Sequence, residues 1–304
     1  MTATNQDAIS ATPTTQNSEP VYSPVDELAR PMGRRLSAVT IVPVTDGTFC
    51  LFTKATAHLL ADVQGAFVPT SLAPSGGSRL VPLDTPQRLA DTREGGRGEV
   101  LAVDVPAGAD AVVINLTVVG NTEPGFLTAY PCDADRPHAS SVNHLPGEVV
   151  AGAAFVPVGS DGTVCVYAKA PDADVVVDLT ATLTDTGDGL VFTPATPTRT
   201  IDTRNGTGGW APIHGQRQTI DARVAPPGAQ AVSGTLTIAG PVRAGYLRAW
   251  GCGPEPETSN VNAPAGTAFA NLVTTGVDPG GRLCVVARSA TTTVFDTTGW
   301  WTTG

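Results

Sequence analysis

One eight-residue unit, a turn leading into a strand with a central cysteine, occurs three times. It reads Asp46-Gly47-Thr48-Phe49-Cys50-Leu51-Phe52-Thr53, then Asp161-Gly162-Thr163-Val164-Cys165-Val166-Tyr167-Ala168, then Gly280-Gly281-Arg282-Leu283-Cys284-Val285-Val286-Ala287. The cysteine spacings are 165 − 50 = 115 and 284 − 165 = 119 residues. A supersecondary unit copied at a nearly constant period marks tandem domains, here of about 115 to 120 residues each.

Each copy continues into an apolar strand with one acid: Asp62 after Leu59-Leu60-Ala61, Asp178 after Val175-Val176-Val177, and Asp296 after Thr293-Val294-Phe295. Upstream, only the last two copies share further blocks. Pro86-Gln87-Arg88-Leu89-Ala90-Asp91-Thr92-Arg93 matches Pro197-Thr198-Arg199-Thr200-Ile201-Asp202-Thr203-Arg204. Gly125-Phe126-Leu127-Thr128-Ala129-Tyr130-Pro131-Cys132 matches Gly245-Tyr246-Leu247-Arg248-Ala249-Trp250-Gly251-Cys252, and Ser141-Val142-Asn143 matches Ser259-Asn260-Val261-Asn262. The first copy therefore holds only the C-terminal third of a repeat.

The chain divides accordingly. Residues 1–33, rich in Thr, Ser, Asn, Gln and Pro, read as disordered linker. Residues 34–70 are the incomplete copy, with strands expected over 36–44, 48–53 and 57–67. Three strands are marginal alone, so this piece needs an upstream domain, a partner chain or packing against the next repeat. Residues 79–186 and 189–304 are complete copies, in which short β-rich runs alternate with Gly/Pro turns and no helical period occurs. The fold expected is all-β, with tandem antiparallel β-sandwich domains; small closed β-barrels are the alternative. The short join at 185–189 predicts two sandwiches held as a semi-rigid rod.

Net charge is −10, only Lys54 and Lys169 are lysines, and the arginines are scattered, which argues against a nucleic-acid partner. No apolar run is long enough to span a membrane. The N-terminus lacks the charged and apolar regions of a secretion signal. Each complete copy nevertheless carries two cysteines, Cys132 with Cys165 and Cys252 with Cys284, expected as structural disulfides of an oxidising compartment. The chain is thus read as a secreted or cell-surface segment whose signal lies outside it. Cys50 is left unpaired, its partner expected in the missing part of its repeat; a free thiol or a bond to another chain are the alternatives.

Among polar residues the Asp-Thr-Arg triplets stand out, because residues two apart on a strand share a face. Asp91, Arg93, Asp202 and Arg204, with the strand acids Asp178 and Asp296, are expected to form structural ion pairs, Arg93 with Asp178 and Arg204 with Asp296. The functional alternative is an arginine that binds a carboxylate or sugar acid. Tyr130 and Trp250, each two residues before a cysteine, would stack on a sugar if exposed or pack on the disulfide if buried. Trp210 in a glycine loop and the adjacent pair Trp300 and Trp301 are the remaining ligand-binding candidates. The histidines His58, His138, His144 and His214 do not repeat and have no nucleophile or zinc spacing, so no catalytic residue, metal or cofactor is assigned. Asn115-Leu116-Thr117 matches a glycosylation sequon but lies inside an expected strand.

The order Arg-x-x-Asp-Thr-Arg, Gly-aromatic-Leu…Cys, Ser-x-x-Asn, Gly-x-x-Cys-Val and Asp-x-x-Gly-aromatic resembles a tandem β-domain repeat of large secreted actinobacterial proteins. Asp202-Thr203-Arg204, Ser259-Asn260-Val261-Asn262, Cys284 and Asp296-Thr297-Thr298-Gly299-Trp300 carry the resemblance most fully. The first complete copy lacks the last glycine, reading Asp178-Leu179-Thr180-Ala181. The resemblance implies an accessory, surface-exposed module, often placed beside catalytic or peptidase domains, and brings no site of its own. The functions expected are a non-catalytic structural, adhesion or cell-envelope-binding array, a carbohydrate-binding module, or a subunit of an extracellular assembly completed by strand addition. The partners are then cell-wall polysaccharide or another protein of the same surface assembly.

Overall fold

The computed structural model describes residues 37–53, 58–69, 77–187, 189–210, 215 and 217–304. The strands are β1 (Arg79–Asp91), β2 (Val100–Asp104), β3 (Ala111–Val119), β4 (Gly125–Pro131), β5 (Val142–His144), β6 (Val150–Pro157), β7 (Thr163–Ala168) and β8 (Asp174–Thr184). They continue as β9 (Val191–Asp202), β10 (Thr219–Arg223), β11 (Ala231–Ala239), β12 (Gly245–Trp250), β13 (Val261–Ala263), β14 (Ala268–Gly276), β15 (Arg282–Ala287) and β16 (Thr292–Thr302).

The first eight strands make two sheets, ordered β1-β8-β3-β6 and β2-β7-β4-β5. The next eight repeat this as β9-β16-β11-β14 and β10-β15-β12-β13. Neighbouring strands are antiparallel. No sheet closes on itself, so the architecture is that of β-sandwiches and the barrel alternative is set aside. Alternation along each strand supplies the interior: Val112, Ile114, Leu116 and Val118 of β3 face Leu127, Val164 and Val166 across the first sandwich. The turn before each cysteine strand places a glycine at left-handed φ in all three copies, Gly47, Gly162 and Gly281 at 75, 80 and 75°. Only glycine enters that region without Cβ cost, and at Gly281 a Cβ would lie 2.2 Å from the Ala225 carbonyl oxygen. The first copy, however, closes the tighter Thr45–Thr48 pair where the others close Gly159 on Thr163 and Asp278 on Arg282.

Two expectations are corrected. The complete copies are not strung as a rod: the sheets containing β3 and β11 turn their outer faces toward each other. Strand β3 is buried on both faces, which explains its continuous apolar run. Leu80, Val113 and Leu183 of the first copy join Leu190, Ala231 and Trp301 of the second in one apolar cluster. Beside it lies a buried amide cluster. Asn271 Nδ2 donates to Asn115 Oδ1 (2.8 Å) and Asn260 O (2.7 Å), and its Oδ1 accepts the Ala153 N–H (2.8 Å). Asn115 Nδ2 in turn donates to Ser259 O at 2.7 Å. A short join permits this packing once the outer faces are apolar enough to bury.

The second correction concerns the incomplete copy. Its expected strands do not form among the described residues of 37–69, where a single bridge joins Thr45 to Thr48. The physical reason is missing partners. In the complete copies the cysteine strand is flanked by β2 and β4, and the acid strand by β1 and β3, and the first copy has no equivalents of these. The segment instead lies beside the first sandwich: the Asn143 N–H donates to Ser37 Oγ (3.1 Å) and the Phe155 N–H to Gln64 Oε1 (3.1 Å).

Candidate functional site

The shared acidic and basic residues form one clasp in each sandwich. In register, Arg88 of β1 sits opposite Asp178 of β8, and Arg199 of β9 opposite Asp296 of β16. Arg88 donates from Nε to Asp178 Oδ1 (2.6 Å) and from Nη1 to Asp91 Oδ2 (2.9 Å). Arg199 grips Asp296 with Nε and Nη2 at 2.9 and 3.0 Å and reaches Asp202 with Nη1. The pairing expected from sequence is therefore corrected: Arg93 pairs with Asp91, and Arg204 with Asp202. Strands β1 and β9 end at those aspartates, so the arginine two residues on lies in the turn and folds back. Between them, Thr92 Oγ1 and Thr203 Oγ1 accept the Val175 and Thr293 N–H groups. The whole motif is a tie between the first and last strands of each copy.

Electrostatics follow from this arrangement. Hydrogen bonds from Arg93 and Arg204 lower the Asp91 and Asp202 carboxyls to about 2. Asp178 moves the other way, because burial outweighs the pull of Arg88 and raises it.

Both disulfides form, Cys132–Cys165 and Cys252–Cys284. They lie on the outward faces of the outer sheets rather than in the sandwich interiors. Cys132 and Cys165 pack with Tyr130, Tyr167 and Phe126, and Cys252 and Cys284 with Trp250 and Val286. Tyr130 and Trp250 are buried there, the Trp250 Nε1–H donating to Gly253 O at 2.8 Å. Arg136 covers Tyr167, its guanidinium carbon 3.7 Å from the ring centre. Asp221 approaches Cys252 and Cys284, but the disulfide consumes both thiols and Arg282 donates to Asp221 Oδ1. That cluster is not a cation site. Cys50 is a free, exposed thiol.

The adjacent tryptophans point to opposite faces. Trp301 is buried between the sandwiches, its Nε1–H on Ser233 Oγ (2.9 Å) and its ring against Phe192 and Phe67. Trp300 is half-buried at one end of the second sandwich. It lines a groove of about 420 Å3 with Arg223, Pro226, Pro227, Thr198 and Thr297. Trp210 is half-buried, its Nε1–H 3.4 Å from Asp221 O, and packs on the second core. Tyr130, Trp250 and Trp301 therefore offer no exposed face, and Trp300 does.

A groove of about 360 Å3 occupies the equivalent place in the first sandwich, between Pro106-Ala107-Gly108 and Thr182. Equivalence follows from register: Thr182 pairs with Val112 as Trp300 pairs with Val232, and Asp104 pairs with Thr163 as Arg223 pairs with Arg282. The equivalent positions thus carry threonine and aspartate in one copy and tryptophan and arginine in the other, and Asp104, unlike Arg223, stands outside the lining of its groove. Arg223 is exposed, and no ion pair or side-chain hydrogen bond engages it among the described residues. An indole face beside threonine hydroxyls and a guanidinium can stack on a sugar ring and bind a hydroxyl or carboxylate. Sequence reasoning missed Arg88 and Arg199, which stand inside the shared motif, and Arg223, which no local pattern marks.

No family model matches the chain, and no curated protein matches it in sequence. Among solved structures it is similar to the N-terminal CBM22-1-CBM22-2 tandem domain of Paenibacillus barcinonensis Xyn10C. That match has 11% identity and a TM-score of 0.18, over 75% of this chain and 96% of that one. A likeness at this level assigns no ligand.

Proposed function

We propose that this chain is a non-catalytic, extracellular pair of β-sandwiches that binds cell-envelope polysaccharide through the groove at Trp300. One observation carries the reading. The polar and aromatic residues common to both copies are consumed in clasps and disulfide packing, whereas the matching grooves differ, and only the second carries an aromatic face and an unengaged arginine. A duplicated scaffold with one diversified groove suits a binding module. The paired disulfides fit an oxidising, extracellular setting. No helix among the described residues is long and apolar enough to cross a membrane.

The test is retention on insoluble polysaccharides and on purified bacterial cell wall. The parent protein is expected to be retained and Trp300→Ala to be released, while Thr182→Ala in the other groove leaves retention unchanged. Absence of retention on every matrix rejects the binding reading and leaves a rigid surface spacer.

A further inference from the structure

The incomplete copy presents an apolar surface whose proper covering can be read from its own repeats. Position by position, Phe49, Leu51 and Phe52 correspond to Val164, Val166 and Tyr167, and Leu60 and Val63 to Val176 and Leu179. In the complete copy those positions are 0–9% exposed; in the incomplete one Phe52, Leu60 and Val63 are 89%, 81% and 83% exposed. The third copy agrees, with Leu283, Val285 and Val286 all buried. The left-handed turn glycine of the unit is present at Gly47, whereas the described residues of 49–67 lack the neighbouring strands that flank their counterparts β7 and β8. Cys50 completes the match: both equivalent cysteines are bonded, each to the cysteine just after the Gly-aromatic-Leu strand.

We propose that residues 47–53 and 58–67 are a strand pair donated to an acceptor outside residues 1–304, a sandwich of the same repeat type that lacks its last two strands and presents a cysteine equivalent to Cys132. The acceptor supplies the ladders that β2 and β4 give β7, and that β1 and β3 give β8. Strand donation of this kind gains main-chain hydrogen bonds along each edge and buries alternate apolar side chains in the acceptor's core. The acceptor's thiol and Cys50 then lose two protons and two electrons to form the bond. A low-molecular-weight disulfide such as oxidised glutathione takes these up and leaves as two thiols. Gln64 and Ser37, bonded to the edge strands β6 and β5, hold the donated pair next to the first sandwich.

The experiment fuses a second copy of residues 79–158 ahead of Met1, keeping the full chain. Thiol titration is expected to fall from one reactive cysteine per chain to none in glutathione redox buffer, with peptide mapping placing a new disulfide on Cys50. Amide exchange over residues 47–52 and 59–67 is expected to slow at least tenfold. When the added cysteine is changed to serine, the protection should persist without the bond. A fusion with both native disulfides intact, Cys50 still titrating and no added protection overturns the proposal. So does protection that vanishes with the serine change, since thiol chemistry alone would then be joining the parts. In the unfused protein, the double change Leu60→Ser and Val63→Ser is expected to shift Tm by less than about 2 °C. A fall of more than about 5 °C would place these residues in the molecule's own core and also overturn the proposal.

Discussion

Asp178 and Asp202 both expose little surface yet shift in opposite directions, because desolvation dominates at the more deeply placed Asp178 and the hydrogen bonds from Arg204 dominate at Asp202. Asp202 receives Arg204 through two guanidinium nitrogens and a backbone N–H, with Arg199 beside it, and its pKa drops to about 2. Its folded value lies below the unfolded one of 3.8. It therefore stabilises the fold above that pH and loses the contribution as pH falls toward about 2. Asp202→Asn should cost roughly 2 kcal/mol at pH 7, a gap to the parent that closes by about pH 2 in urea titrations. Asp178, raised by burial, is in direct ion-pair contact with Arg88, with Arg93 acting on it from further off. Removing that contact by Arg88→Ala should cost on the order of 3 kcal/mol at pH 7, because the carboxylate then remains buried without a counter-charge against it.

His144 adds a second pH dependence. Burial lowers its pKa, against the pull of Asp172 and Glu148 and with the help of Arg97. The unfolded chain then takes up a proton near pH 6.5 before the folded one does, so stability should fall as pH drops below that value. Melting curves at pH 7.5 and 5.5 check this. The parent should lose Tm, and His144→Ala should lose less.

At the scale of elements, neighbouring residues of one strand part company. β16 sends Trp301 into the interface and Trp300 toward the groove, as strand alternation requires. Trp301→Ala should cost about 3–5 kcal/mol in thermal or denaturant unfolding, because it opens a cavity and removes one of the two side-chain partners of Ser233 Oγ, leaving Thr274 Oγ1. Trp300→Ala should cost much less and act on retention instead. The disulfides join cysteines 33 and 32 residues apart. Reducing either one should remove on the order of 3 kcal/mol from its sandwich by chain-entropy arguments.

For the whole molecule, the interface between sandwiches decides cooperativity. Asn271 is fully buried and satisfies groups from both copies, so Asn271→Ala leaves several of them unpaired. Each unpaired group costs about 1–3 kcal/mol. The parent should unfold in one calorimetric transition. The Asn271→Ala variant should show two, the copies then melting apart.

What the chain determined by itself is the repeat. Its period, its turns at glycine, its cysteine pairs and the ends of β3 all stand in the sequence, because period-two burial, left-handed turns and duplicated spacing are local signals. Arg88 and Arg199 stood in plain view within the motif, yet only strand register, shifted by a bulge in each copy, chose them over Arg93 and Arg204 as partners of the strand acids. Asn115 reads as a sequon in one dimension and as an interface amide in three. The packing of the sandwiches, the outward placement of the disulfides and the pairing of Trp300 with Arg223 in one groove were decided by the tertiary structure alone. Each depends on which surfaces meet between residues far apart in the chain, 300 − 223 = 77 residues in the case of Trp300 and Arg223, and no local pattern encodes that.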